Sequence, residues 1–248
     1  MKNRTCLKKL LPISICCILF ALLSIAWIPA TSSINRQKLS LTAAASSSTI
    51  ITDVLSIYTS LHLDEKGLSK DAFTYACKGY QHLQQMHRIN GNFLTICDLS
   101  QSSRKKRCYI INMATGELVL STYVAHGHNS GAEYARQFSN RAESLQTSLG
   151  FYTTGNTYYG EHGLSLHIEG LEKGFNDNAL RRNIVIHGAA YMEESWLSKS
   201  SYMGRSYGCP AVPASESDFI INTIKNGNCL FIYYPSGNYL KGSRILND

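Results

Sequence analysis

His187 and Cys209 are the two residues of this chain whose types and setting point most directly to chemistry. A short apolar run, Ile184-Val185-Ile186, delivers His187-Gly188. The cysteine follows the histidine by 22 positions, at the end of a glycine-rich stretch, Gly204-Arg205-Ser206-Tyr207-Gly208-Cys209-Pro210. A thiol nucleophile needs a base to take its proton, a backbone bent sharply enough to expose the sulfur, and amide donors for the oxyanion. His187 can be the base, Gly204 and Gly208 can supply the bend, and the N–H groups around Cys209 the donors. Pro210 has no N–H, so the donors must come from Tyr207, Gly208 and Cys209. No acidic residue adjoins His187, and a backbone carbonyl such as that of Gly188 could orient its second nitrogen. Proton transfer from Cys209 to His187 would give a thiolate–imidazolium pair. The plainer alternative is a buried cysteine and a core histidine.

Residues 22 positions apart cannot be neighbours in one element. They meet if His187 ends a strand and the chain loops back, which makes Tyr191 to Met203 a loop over the site carrying Tyr191, Trp196 and Tyr202 for substrate contact. Strand-like runs recur at residues 93–96, 108–112, 118–124, 149–153, 164–168, 183–187 and 230–234, and residues 113–117 form a hairpin turn. Ahead of them, Ser69 can cap a helix in which Phe73, Ala76, Tyr80, Leu83 and His87 recur at helical spacing, stopped by Asn90-Gly91. Many short strands and little helix predict a mainly β fold: a β-sandwich or barrel-like catalytic core with an N-terminal accessory helix. The expected organisation is a signal peptide at 1–30, a Ser/Thr/Ala-rich tether at 31–49, a helical accessory segment at 50–91, the catalytic domain at 92–237 and a tail at 238–248.

Lys2, Arg4, Lys8 and Lys9 precede an apolar run from Ile13 to Ile28, and no charged residue intervenes between Lys9 and Arg36. This reads as a secretory signal, with an uncleaved membrane anchor as the alternative. Those four basic residues account for more than half of the formal charge of +7 and leave +3 on the remainder, with no dense basic stripe, so nucleic acid is not an expected partner. Membrane contact is expected only through the N-terminal segment. Five of the eight cysteines lie beyond the leader, an odd number for an exported chain, so at least one thiol is unpaired or bonds another chain. Cys97, Cys108 and Cys229 sit in strand-like contexts that suit small buried hydrophobes.

His126-Gly127-His128 has the outline of a metal half-site that His162 and His167 could complete. The sequence lacks an upstream His-x₆-Asp element, and two histidines two apart on a strand share a face that a substrate cleft can use without metal. No metal or cofactor is therefore expected, and His126 is expected to line the cleft near Cys209. Arg182 and Arg205 are candidates for a bidentate contact to a substrate carboxylate, or else are surface or structural charges.

His187-Gly188, the intervening loop and Ser206-x-Gly208-Cys209 resemble the signature of the YkuD-type L,D-transpeptidases, bacterial enzymes that remodel peptidoglycan. The usual pattern has His before Gly-Cys and Arg or Asn soon after. This chain instead has Tyr207 and Pro210-Ala211-Val212-Pro213, which is similar to a variant branch of murein L,D-transpeptidase catalytic domains. Further matches to that branch include Ala125-His126-Gly127, Phe138-Ser139-Asn140, residues 148–152, Gly163-Leu164-Ser165-Leu166, residues 182–188 and residues 230–233. The resemblance implies that Cys209 attacks the carbonyl of the third, diamino acid residue of a stem tetrapeptide. D-alanine would leave, and an amine would take the acyl group from the thioester. Cys209, His187 and Gly188 would be catalytic and Tyr207 and Gly208 would contribute backbone donors. Arg205, Ser206, His126, Arg182 and Tyr191 would bind substrate. The partners would be peptidoglycan stem peptides and the location the bacterial periplasm or cell envelope. A secreted cysteine hydrolase (a carboxypeptidase or amidase) and a non-catalytic envelope protein remain alternatives.

Overall fold

Short apolar runs separated by Gly, Asn and Ser can bury their side chains only by pairing with one another, and here they form one sheet. The structure, a computed structural model, describes residues 54–248; the expected signal peptide and tether lie outside the described residues. The strands are β1 (Phe93–Asp98), β2 (Cys108–Asn112), β3 (Glu117–Thr122), β4 (Gly150–Gly160), β5 (Gly163–Gly170), β6 (Val185–Ala189), β7 (Ala211–Pro213) and β8 (Cys229–Tyr233). They lie in the order β3-β2-β1-β8-β4-β5-β6-β7. The β1–β8 and β6–β7 pairs are parallel and the others antiparallel. Beyond β3 the chain crosses to the far edge, where the Ala125 N–H donates to the Ala211 carbonyl at 2.8 Å and Gly127 bridges to Ser206. The two edges are thereby tied and the sheet is nearly closed, in keeping with a mainly β, barrel-like core.

Helix α1 (Lys70–Gln85) begins where Ser69 accepts the Ala72 N–H at 3.2 Å. Its buried face, which includes Phe73, Ala76, Tyr80 and Leu83, packs on β1 and β8. Each large side chain so buried stabilises the fold by about 1.5–3 kcal/mol. The helix therefore shares the core of the sheet. Cys77, Cys97, Cys108 and Cys229 are free thiols inside that core, with the Cys97 and Cys108 sulfurs facing each other at 3.9 Å across β1 and β2.

Three elements depart from the sequence expectation. The run expected at residues 149–153 continues as β4 to Gly160 and turns directly into β5, with a register shift between Thr154 and Thr157. Helix α2 (Ala214–Ile224) was not anticipated, because its Ser/Asp/Asn-rich sequence offers only Ile220, Ile221, Ile224 and Ser217 to the interior. The expected tail instead forms α3 (Gly237–Gly242) and α4 (Arg244–Asn247), with Ser236 and Ser243 as N-caps and Tyr239, Ile245 and Leu246 buried.

Glu172 docks these last helices to the body. Its carboxylate accepts the Phe151 N–H at 2.7 Å, the Tyr239 hydroxyl at 2.8 Å and the Ser243 hydroxyl. Burial raises its pKa, and the three donors oppose that rise. Glu172→Ala would leave an amide and two hydroxyls without an acceptor, and it is expected to cost about 3 kcal/mol in denaturant unfolding. Glu169→Ala, on the exposed side of β5, should stay within about 0.5 kcal/mol of the parent.

Candidate active site

The parallel pairing of β6 with β7 sets His187 opposite Ala211. Two residues before Ala211 on one strand line and two before His187 on the other, Cys209 lies beside Val185, whose N–H donates to the sulfur. The thiol in turn points at the Asn183 carbonyl, 3.7 Å away. Both His187 and Cys209 line a cleft of about 540 Å³, bounded by the β4–β5 hairpin, β6 and the glycine-rich turn.

That turn is held from within and from both sides. The Ser206 hydroxyl donates to the Cys209 carbonyl at 2.6 Å and accepts the Gly208 N–H at 3.1 Å. The Ser206 backbone donates to the His126 carbonyl at 3.1 Å and accepts from the His128 N–H at 2.7 Å. Gly208 has φ of +124°, and a Cβ there would sit 2.9 Å from the Gln146 carbonyl oxygen, so the bend requires glycine. Because Ser206 occupies the Gly208 N–H, the Tyr207 and Cys209 amides are the ones left for an oxyanion; among the described residues neither donates to another group.

His187 Nδ1 lies 3.0 Å from the Gly188 carbonyl. A carbonyl only accepts, so the proton sits on Nδ1 and Nε2 keeps its lone pair. Gly188 has no room for a side chain, since a Cβ would lie 2.6 Å from the Ser217 hydroxyl of α2. Burial lowers the His187 pKa, the Gly188 carbonyl opposes this, and nearby His162 lowers it further. Burial raises the Cys209 pKa, against the pull of the Val185 N–H and Arg182. Both shifts favour the uncharged pair at rest. They work against the thiolate–imidazolium pair expected from sequence.

Arg205, Ser206, Tyr191 and Tyr207 line the cleft. Arg205 spends Nη1 on the His128 and Gly131 carbonyls, at 3.3 and 3.0 Å, and places its guanidinium over the Tyr202 ring. Tyr191 packs edge-on against Trp196 in the expected loop, which winds into two short 3₁₀ segments. The other two expected substrate contacts lie elsewhere. His126 is fully buried and makes a 2.7 Å contact with Arg107, and burial first, then Arg107, brings its pKa down to about 3. The strand periodicity that would put His126 and His128 on one face ends at Thr122, and His128, which begins a 3₁₀ turn, lines the cleft. Arg182 sits under the turn, where its guanidinium donates to the Ser139 and Gln146 carbonyls at 2.9 and 2.6 Å and to the hydroxyls of Ser144 and Ser148. Both of its terminal nitrogens are bonded to the segment beneath Gly208.

The hairpin residues Tyr158, Glu161 and His162 also line the cleft. His162 stacks on His187 with ring centroids 4.3 Å apart. The sequence weighed His162 only as a metal ligand; its position in the polar Gly160-Glu161-His162-Gly163 turn was the available signal. Among the described residues no cluster of three or more His, Cys, Asp or Glu could hold a metal ion.

The family model for the L,D-transpeptidase catalytic domain, of YkuD type, matches residues 64–233. The chain belongs to that family. No curated protein matches it. Among solved structures it is similar to an L,D-transpeptidase from Mycobacterium smegmatis, at 10% identity and a TM-score of 0.36, covering 58% of this chain and 60% of that one. An L,D-transpeptidase from Xylanimonas cellulosilytica shares 16% identity at a TM-score of 0.33, covering 59% and 62%. A fused zinc-dependent amidase/peptidase/peptidoglycan-binding protein from Clostridium acetobutylicum shares 14% at 0.35, covering 62% and 61%. The chain thus spans about three fifths of the length of these structures. At that distance the likeness says nothing about the site.

In this L,D-transpeptidase domain the two arginines are separable by experiment. Arg182→Ala is expected to lower stability by about 2 kcal/mol, a Tm loss of roughly 4–8 °C for a domain of this size. A raised KM at unchanged Tm would instead return Arg182 to substrate binding.

Proposed function

We propose that the protein is a cysteine-dependent L,D-transpeptidase of the bacterial cell envelope that acts on peptidoglycan stem tetrapeptides. The observation that carries this reading is the shared cleft of His187 and Cys209, with Nδ1 of His187 tied to Gly188 and Nε2 left with a lone pair. Family membership supplies the substrate class.

On this reading the Cys209 sulfur attacks the carbonyl carbon of the third stem residue as Nε2 of His187 takes the thiol proton. The oxyanion accepts from the Tyr207 and Cys209 amides. As the tetrahedral intermediate collapses, the bond to D-alanine breaks and His187 returns the proton to the departing amine, leaving a thioester on Cys209. An acceptor amine then attacks, gives up a proton to His187, and regenerates the thiol as the new amide forms. Water in place of the amine would make the enzyme an L,D-carboxypeptidase. Arg205, Tyr191 and Tyr207 are in position to meet the stem, with Arg205 suited to a carboxylate.

Incubation with a disaccharide-tetrapeptide and D-methionine is expected to yield the D-methionine-exchanged stem by mass spectrometry, and Cys209→Ala should abolish it. Tripeptide without exchange would establish the hydrolase instead, and unchanged substrate would mark a non-catalytic protein. The pH dependence has a definite sign. Because the His187 pKa is lowered, the imidazole stays unprotonated as pH falls through its ordinary value near 6.5. The acid limb of kcat/KM is therefore expected below pH 6.5, and a limb above it would contradict the assignment of His187 as a buried neutral base.

A further inference from the structure

The β4–β5 hairpin ends in a polar turn that does nothing for the core, yet it brings an exposed imidazole onto the face of the base. His162 and His187 lie nearly parallel, with centroids 4.3 Å apart and 21° between planes. One ring nitrogen of His187 is held by the Gly188 carbonyl, and among the described residues the ring makes no second hydrogen bond. A flat ring against its face adds a second restraint, as offset aromatic pairs do. We propose that His162 is a positioning residue that holds the His187 ring in its proton-accepting orientation. This rests on the assignment of His187 as the base.

The other groups facing His187 do not duplicate this role. Tyr158 and Glu161 belong to the same hairpin, and Tyr158 stacks on His167 instead. The turn contributes Arg205, Tyr207 and Cys209, the loop after β6 contributes Tyr191, and His128 closes the cleft beyond them. The flanking strands present Ser165 and Ala211 at the register positions paired with His187, and neither titrates. Burial is the main cause of the lowered His187 pKa, and His162 adds to it. Losing His162 should therefore make His187 easier to protonate.

Two variants separate the flat ring from its titratable nitrogens. His162→Phe keeps a flat ring without them, whereas His162→Ala removes both. His162→Ala is expected to lower kcat roughly 10- to 100-fold, the scale of a misplaced catalytic group, with KM changed less than about twofold. His162→Phe should retain kcat within about threefold of the parent. In both, the His187 imidazole signal, followed by NMR in ¹³C-histidine-labelled protein and assigned with His187→Gln, should titrate at higher pH than in the parent. A His162→Ala enzyme with parental kcat, a His162→Phe enzyme as impaired as His162→Ala, a rise confined to KM, or an unmoved His187 titration would each overturn the proposal. The NMR titration needs no substrate. Failure of the parent enzyme to act on stem peptides would therefore sink the functional reading, while the titration would still decide the contact between the two rings.

Discussion

Everything at the site depends on one pairing: the three-residue parallel ladder between β6 and β7. It converts a separation of 22 residues in sequence into a fixed offset of two positions in space. His187 ends up on one strand and Cys209 just ahead of the other. The ladder is short, so it needs support from outside. The Ala125–Ala211 hydrogen bond and the Gly127–Ser206 bridge lash it to the segment after β3, and α2 packs under β6 where Gly188 leaves room. Closure of the sheet thereby helps to hold the turn that carries Cys209.

The electrostatics follow from burial. A cleft that shelters these groups penalises charge, which raises the Cys209 pKa and lowers that of His187. Such a site can still be an effective nucleophile, provided the proton moves as the carbon–sulfur bond forms and the oxyanion is met by donors already in place. The donors proposed for the oxyanion follow from economy within the turn. Pro210 has no N–H and Ser206 takes that of Gly208, which leaves the amides of Tyr207 and Cys209. Arg182 contributes from below, as a structural tie that fixes the floor beneath Gly208 and adds a mild positive field at the sulfur.

The His–Cys pair, most of the strands and α1 were legible because each rests on a local rule: nucleophile beside glycine, apolar runs between turn residues, a serine cap before helical spacing. What was hidden depends on long-range partners. β7 is three residues long and exists only because β6 and Ala125 are there to bond it. The second half of β4 is polar and reads as a loop until β5 pairs with it. The helices α3 and α4 carry few apolar residues and are docked by Glu172, a partner some 70 positions away. His126 looked like a cleft residue because strand alternation was carried past Thr122, where β3 in fact ends. Arg182 looked like a ligand for anions because its four acceptors come from residues 139–148, which no spacing rule connects to it.

The central claim is that the acyl group is carried on Cys209 with His187 as its base. Acid-quenched intact-mass and peptide mass spectrometry of the enzyme during turnover of a disaccharide-tetrapeptide tests it most directly. The account predicts an adduct with the mass of the disaccharide-tripeptide acyl group on the peptide containing Cys209, reversed by added amine and absent from His187→Ala. Turnover with no adduct on Cys209, or an adduct that forms undiminished in His187→Ala, would contradict it.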